Sequence, residues 1–282
     1  MTPYYEDDRA TVYHGDAAEV IASLPDSSVD CVVTSPPYAE QRASTYGGVP
    51  EADYPAWTVG WMAPLKRVLK PSGSVIINIR PHLNKGVISD YTLHTRLLLR
   101  SSGWAELDEL IWFKNTSPPT GHPFRPRRSW ESLHWFGLSG NVWCDPQANG
   151  RDSKRLGMTE SGAHLRQGWD HYQTPGEQSE GVARSMDVCE FGIRRPKQVE
   201  VGMWDHPAPY PKQVAAWCIR LTCPPDGTVL DPFSGSGSTG VAAIQEGRKY
   251  VGIDMAEEYA AMSARRVAKE PLTLDIFGEA AS

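Results

Sequence analysis

Residues 228–240 read TVLDPFSGSGSTG: a short β-branched run, an acid, then a glycine-rich turn. This order predicts a strand over Thr228–Leu230, a tight turn at Gly235 and Gly237, and a helix after Gly237. Glycine has no Cβ, so the backbone can turn sharply there and approach a neighbouring group closely. The following strand, Lys249–Ile253, runs into Asp254 through Val-Gly-Ile-Asp. A carboxylate at such a strand end can accept both hydroxyl hydrogens of a ribose. Taken alone, Gly235-Ser-Gly237-Ser-Thr-Gly240 also satisfies a dinucleotide fingerprint, which keeps a nicotinamide oxidoreductase in view.

Asp231 weighs against a dinucleotide. An anion at that strand end repels a pyrophosphate, whereas S-adenosyl-L-methionine has no phosphate and carries an ammonium and a sulfonium that an acid attracts. The stretch also lies near the C-terminal end of the sequence, so the other strands of the sheet must come from earlier residues, in a circularly permuted order. Earlier residues supply them. Val29–Thr34 is a buried-strand pattern closed by Pro-Pro, Tyr54–Lys70 has apolar residues at helical spacing, Ser74–Ile79 is a second apolar strand, Tyr91–Arg100 a helix and Leu110–Phe113 a strand. After the middle of the chain, helices are expected at Lys212–Leu221 and Glu257–Val267. Strand and helix in alternation predict an α/β sheet with helices on both faces.

The 282 residues carry 40% hydrophobic and 22% charged side chains, ordinary globular usage with room for one core plus a smaller lobe. No run approaches the roughly 18 apolar residues of a membrane span, and the expectation is a soluble, cytoplasmic chain without a membrane partner. Cys31, Cys144, Cys189, Cys218 and Cys223 are widely spaced without Cys-x-x-Cys, which points to reduced thiols. His134, His164 and His171 have no metal-ligand spacing with them, so no metal is expected. The formal net charge of -6 argues against indiscriminate coating of nucleic acid but leaves room for a local basic cleft.

Thr34-Ser35-Pro36-Pro37-Tyr38 follows the Val29–Thr34 strand directly. The prolines fix the backbone so that the Pro36 carbonyl holds its direction, and Ser35 supplies a second acceptor. An exocyclic amine is a poor nucleophile because its lone pair is delocalised into the ring. Acceptors that hold its hydrogens favour a pyramidal nitrogen and stabilise the positive charge that develops during attack on a methyl group. Tyr38 offers an aromatic face to a base swung out of the duplex.

Together, the early Thr-Ser-Pro-Pro-Tyr, the late Asp-Pro-Phe-Ser-Gly-Ser-Gly and an irregular middle resemble the amino-group DNA methyltransferases of the permuted β class, which act on cytosine N4 or adenine N6. The resemblance implies a Rossmann-like methyltransferase sheet with an inserted target-recognition lobe. It implies that Ser35, Pro36, Pro37 and Tyr38 form the catalytic loop, that Asp231, Phe233, Gly235 and Gly237 surround S-adenosyl-L-methionine, and that Asp254 binds its ribose. By the same resemblance, Gly15-Asp16 contacts the cofactor adenine, and residues 206–211 lie near the methionine moiety, with Tyr210 where many relatives carry Lys. Serine at the first catalytic position favours cytosine N4 over adenine N6. Double-stranded DNA is the implied partner, and the resemblance admits a cognate restriction endonuclease acting on the same site. Carbon-5 methylation needs a Cys after a Pro, and none of the five has one. A protein-amide methyltransferase would carry its Pro-Pro-Tyr after the cofactor segment rather than before it, and a catalytically silent DNA-binding module is a further alternative.

The expected organisation is a catalytic half over residues 1–114, a target-recognition lobe over 115–205 and a cofactor-binding half over 206–282. Between Lys114 and Glu200 there are twelve basic and ten acidic residues, against an acidic remainder. Arg125, Arg127, Arg128, Arg194 and Arg195 in this stretch are candidates for DNA contact.

Overall fold

The computed structural model describes residues 1–40, 48–84, 86–115, 124–150, 184–192 and 211–270. A nine-stranded sheet contains β1 (Tyr5–Glu6), β2 (Ala10–His14), β3 (Val29–Thr34), β4 (Leu69–Ile79), β7 (Ala105–Phe113), β8 (Trp130–Gly137), β9 (Val188–Glu190), β10 (Thr228–Asp231) and β11 (Lys249–Asp254). Their order is β1-β2-β11-β10-β3-β4-β8-β7-β9. A two-stranded hairpin, β5 (Leu83–Asn84) and β6 (Val87–Ile88), stands apart from it.

The middle of the sheet, β2 through β4, is parallel, and β8 runs antiparallel between β4 and β7. Parallel strands covered on both faces need near-continuous apolar sequence, and every residue of β3 is buried. Alternate side chains leave the two faces. Cys31 and Val33 join one core with helices α5 (Lys212–Thr222), α6 (Ser238–Gln245) and α7 (Glu257–Ala268). Val32, Val75 and Ile77 join the other with α1 (Ala17–Ser23), α2 (Tyr54–Met62), α3 (Leu65–Val68) and α4 (Tyr91–Ser101). Helices therefore cover both faces, as the sequence predicts.

Two expectations change. The helix expected over Tyr54–Lys70 is two helices, α2 and α3, and Leu69 already starts β4. Pro64 at the junction has no N–H to continue the ladder. More consequentially, β8 and β9 lie inside residues 115–205, the stretch assigned to an inserted lobe, yet both are strands of the main sheet. Glu131, Ser132 and His134 of β8 are buried. These polar residues interrupt the apolar run that would have marked a strand; Glu131 and Ser132 are tolerated because other elements supply partners, such as Glu109 for the Ser132 hydroxyl at 2.8 Å. Sequence reading also passed over β1, β2 and α1.

Candidate active site

The parallel register carries the ends of β2, β11, β10, β3 and β4 to one edge of the sheet. Asp254 lies opposite His14, Asp231 opposite Gly252, Leu230 opposite Val32 and Thr34 opposite Ile77. Along that edge Asp16, Asp254, Asp231, Ser35 and Asn78 follow one another. The chain turns away in opposite directions from β10 and β3, and ligands of open α/β sheets bind at such a switch point.

Each carboxylate of the row has a definite task in the chain. Asp16 caps α1, with Oδ1 accepting the Ala18 and Glu19 amides at 2.9 and 3.1 Å, and it remains exposed. The Gly15 amide donates to the Asp254 main-chain oxygen at 2.9 Å, which ties the start of α1 to β11. Asp254 is 1% exposed and accepts the Gly235 amide on one oxygen and the Ala256 amide on the other, at 2.8 and 2.9 Å. The carboxylate thus ties the glycine-rich turn to the end of β11.

Asp231 departs from the sequence reading in detail. Its carboxylate is 1% exposed and is held by the Thr34 and Thr239 hydroxyls at 2.7 and 2.6 Å and by the Phe233 amide at 3.1 Å. Burial pushes its pKa up to about 6, against the lowering effect of those donors and with help from nearby Asp254. It is an internal clamp between the two loops, and a cation brought to this edge would favour its ionised form.

The glycines divide by role. Gly235 and Gly237 both have positive φ, 49° and 78°, which favours glycine. A Cβ on Gly237 would come within 2.9 Å of the Ser263 Cα, so its bareness serves the approach of α7. Phe233 is half-buried, its ring 5.4 Å from Trp57 and 5.3 Å from Trp61, an aromatic wall beside the turn.

On the other side of the switch point, Ser35 and Tyr38 converge. The Ser35 hydroxyl and the Tyr38 hydroxyl each lie 3.4 Å from Asn78 Oδ1. Asn78 Nδ2 donates to the Ser132 carbonyl at 3.1 Å, which fixes the amide so that its oxygen faces the loop. Tyr38 also donates to Glu131 Oε2 at 3.0 Å. Burial and the Glu131 charge raise the Tyr38 pKa well above its ordinary value, so the phenol is a neutral donor.

A model of the DNA methylase family, covering N6 and N4 amino-methylases, matches residues 29–265. The chain belongs to the DNA methylase family. The methylase is 27% identical over 292 residues to the type II methyltransferase M.PvuII of Proteus hauseri, spanning 94% of this chain and 85% of that one. Its fold matches the solved PvuII DNA methyltransferase, described as cytosine-N4-specific, with a TM-score of 0.71 and 23% identity over 94% of this chain and 88% of that one. It also matches a DNA modification methylase of Thermus thermophilus solved with S-adenosyl-L-methionine, with a TM-score of 0.59 and 23% identity over 93% and 95%. This DNA methylase uses S-adenosyl-L-methionine.

Sequence reading of the methylase missed Asn78 and Glu131. Asn78 had a signal, an amide inside the apolar run Val75–Ile79; Glu131 lay in the unrecognised strand β8. Among the arginines, Arg125 and Arg127 are exposed and Arg128 is half-buried, while Arg194, Arg195 and Tyr210 lie outside the described residues. Burial pushes the Cys189 and Cys223 thiols up to about 12, consistent with inert thiols. Glu40, Glu51 and His82 bring ligating atoms within 4.8 Å of one another, with His82 Nε2 2.5 Å from Glu51. A histidine–carboxylate pair accounts for that contact.

Proposed function

We propose that the methylase modifies cytosine N4 within a specific duplex sequence, with Ser35, Pro36, Pro37 and Tyr38 receiving the extruded base and Asp16, Asp231, Phe233, Gly235, Gly237 and Asp254 framing the cofactor edge. The observation that carries this reading is the convergence of Ser35 and Tyr38 on Asn78 Oδ1 at the end of β3, one residue beyond the Thr34–Asp231 hydrogen bond. The cofactor supplies an electrophilic methyl group. The residues fit it: a cationic ligand is favoured beside a row of carboxylates, and its charge would stabilise the ionised form of the innermost, Asp231, which burial alone disfavours.

Ser35 Oγ can give its hydrogen to Asn78 and turn its lone pairs to the target amine, while the Pro36 carbonyl takes the second amine hydrogen. The amine nitrogen would attack the methyl carbon in line as the methyl–sulfonium bond breaks with its electron pair going to sulfur, the surplus amine proton would pass to solvent, and no covalent enzyme intermediate or metal is required. Serine at the first catalytic position, together with the cytosine-N4 specificity of the PvuII enzyme, supports N4 over adenine N6. Arg125, Arg127, Arg128, Arg194 and Arg195, from the 115–205 stretch, are proposed to contact DNA. The type II name of the Proteus hauseri relative supports a cognate restriction endonuclease in the same cytoplasm. Incubation of the protein with S-adenosyl-L-methionine and duplex DNA, followed by nucleoside analysis, tests this reading. N4-methylcytosine is expected; N6-methyladenine alone would overturn the base assignment, and unmodified DNA the whole proposal.

A further inference from the structure

Glu131 is 7% exposed, an expensive place for a carboxylate, and its two oxygens serve different partners. Oε1 receives the Lys114 ammonium, itself buried, with the Arg80 guanidinium at 3.6 Å. Oε2 receives the Tyr38 hydroxyl at 3.0 Å. Buried ion pairs add little net stability over an apolar replacement of equal volume, so stability alone gives weak reason for this one. Its geometry gives a better reason. The Tyr38 hydroxyl has a single hydrogen and two acceptors in reach, Glu131 Oε2 at 3.0 Å and Asn78 Oδ1 at 3.4 Å. A charge-assisted bond is the stronger, so the hydrogen goes to Glu131. Asn78 Oδ1 is then left for Ser35.

We propose that Glu131 is a positioning residue for methyl transfer: through Tyr38 it fixes the ring on which the extruded base stacks, and by taking the phenol hydrogen it reserves the Asn78 carbonyl oxygen for Ser35. The inference rests on the function proposed above. Lys114 and Arg80 hold the carboxylate from behind, so the ring is tied to strand β8 and not only to its own loop. A hydroxyl bonded at the far end of an aromatic ring restricts rotation about the side-chain torsions, which apolar contacts alone leave broad.

A double-mutant cycle tests this. In Glu131→Gln the carbonyl oxygen stays with Lys114 and the amide NH2 turns to Tyr38, which loses its acceptor; Tyr38→Phe breaks the same bond from the other side and keeps the ring. Single-turnover methyl transfer should fall about tenfold in each, the scale of one hydrogen bond to a charged group, with cofactor affinity unchanged. The double variant should be no slower than either single, because all three break the same bond. A fluorescent analogue at the target position should report the same altered stacking in all three. Wild-type rates in either single variant, or a multiplied loss of about a hundredfold in the double, would overturn the proposal. If Glu131→Gln does not fold, Glu131→Asp keeps the charge against Lys114 and withdraws it from Tyr38, and the same outcomes apply. Should the wild-type protein extrude the base but transfer no methyl group, the proposed function fails, while the fluorescence arm still decides the role of Glu131.

Discussion

The Thr34 hydroxyl donates to the Asp231 carboxylate across 2.7 Å, joining the last residue of β3 to the last residue of β10. The loop proposed for catalysis and the loop proposed for the cofactor begin one residue beyond this bond, so neither shifts without the other. The acid at its centre titrates at about 6 in the fold against an ordinary 3.8. Between those values the folded chain holds a proton that the unfolded chain has lost. Its contribution to stability is therefore complete below the unfolded value and is lost as pH rises through the folded one.

The first prediction follows from that sign. Relative to Asp231→Asn, the wild-type protein should lose about 1 to 3 kcal/mol of stability as pH rises from about 4 to 7. Denaturant melts across that range check it. At about pH 6, S-adenosyl-L-methionine should also release protons on binding, because its positive charge favours the ionised acid. Calorimetry in two buffers of different ionisation enthalpy should show that release in the wild type and not in Asp231→Asn.

Asp254→Ala removes the acceptor of two loop amides as well as the proposed ribose acceptor. S-adenosyl-L-methionine affinity should weaken by about 1 to 3 kcal/mol, and the cofactor-free protein should be destabilised by a similar amount. Titration calorimetry and thermal melts measure the two effects separately. Loss of stability with intact affinity would leave Asp254 a loop clamp only.

Gly240→Ala should destabilise by about 1 to 3 kcal/mol through overpacking, because the new methyl would meet the Tyr250 ring at 2.6 Å. The control is Gly60→Ala in α2, where nothing lies within 4 Å of the added carbon. That change should stabilise by roughly 0.5 to 1 kcal/mol, the helix-propensity gain. Urea midpoints decide both.

Ser35→Ala should reduce turnover by about 10- to 1,000-fold with cofactor binding nearly intact, the range for one lost transition-state hydrogen bond. Tyr38→Ala should also weaken capture of the extruded base, by about 1 to 3 kcal/mol. A mismatch at the target base should partly rescue Tyr38→Ala and help Ser35→Ala much less, since a mismatched base costs less to extrude. Equal rescue of both would reverse their assigned roles.

Arg127→Ala with Arg128→Ala should weaken DNA binding and reduce its salt dependence, by up to about 0.9 in logarithmic slope for each phosphate no longer neutralised. Binding measured at several salt concentrations gives that slope. An unchanged value would remove both residues from the DNA backbone.

What sequence reading recovered, and what it missed, follows burial. The β3 and β10 strands and the turn at Gly235 were legible because apolar runs and glycines mark them locally. The role of Gly237 was not, since its constraint is Ser263 in a helix that arrives later in the chain. Strand β8 was hidden because Glu131, Ser132 and His134 break its pattern, and partners such as Lys114, Tyr38 and Glu109 lie on other elements. Only a folded sheet reveals that Glu131 and Ser132 are satisfied. The exposure of Arg125 and Arg127 was likewise beyond a linear pattern.

The strand order also dictates how the protein must come into being. β2 and β3 are close in the chain, yet β11 and β10 lie between them in the sheet. A nascent chain that has emerged only as far as β9 therefore carries both halves of a gap with open, unpaired edges. It closes only when β10 and β11 leave the ribosome and slot between β2 and β3. Pairing over such separations is slow and leaves strand edges open to other chains. A chain terminated before Thr228 should accumulate as aggregate, and the full-length protein should depend on chaperones most strongly in the interval before β10 and β11 are synthesised.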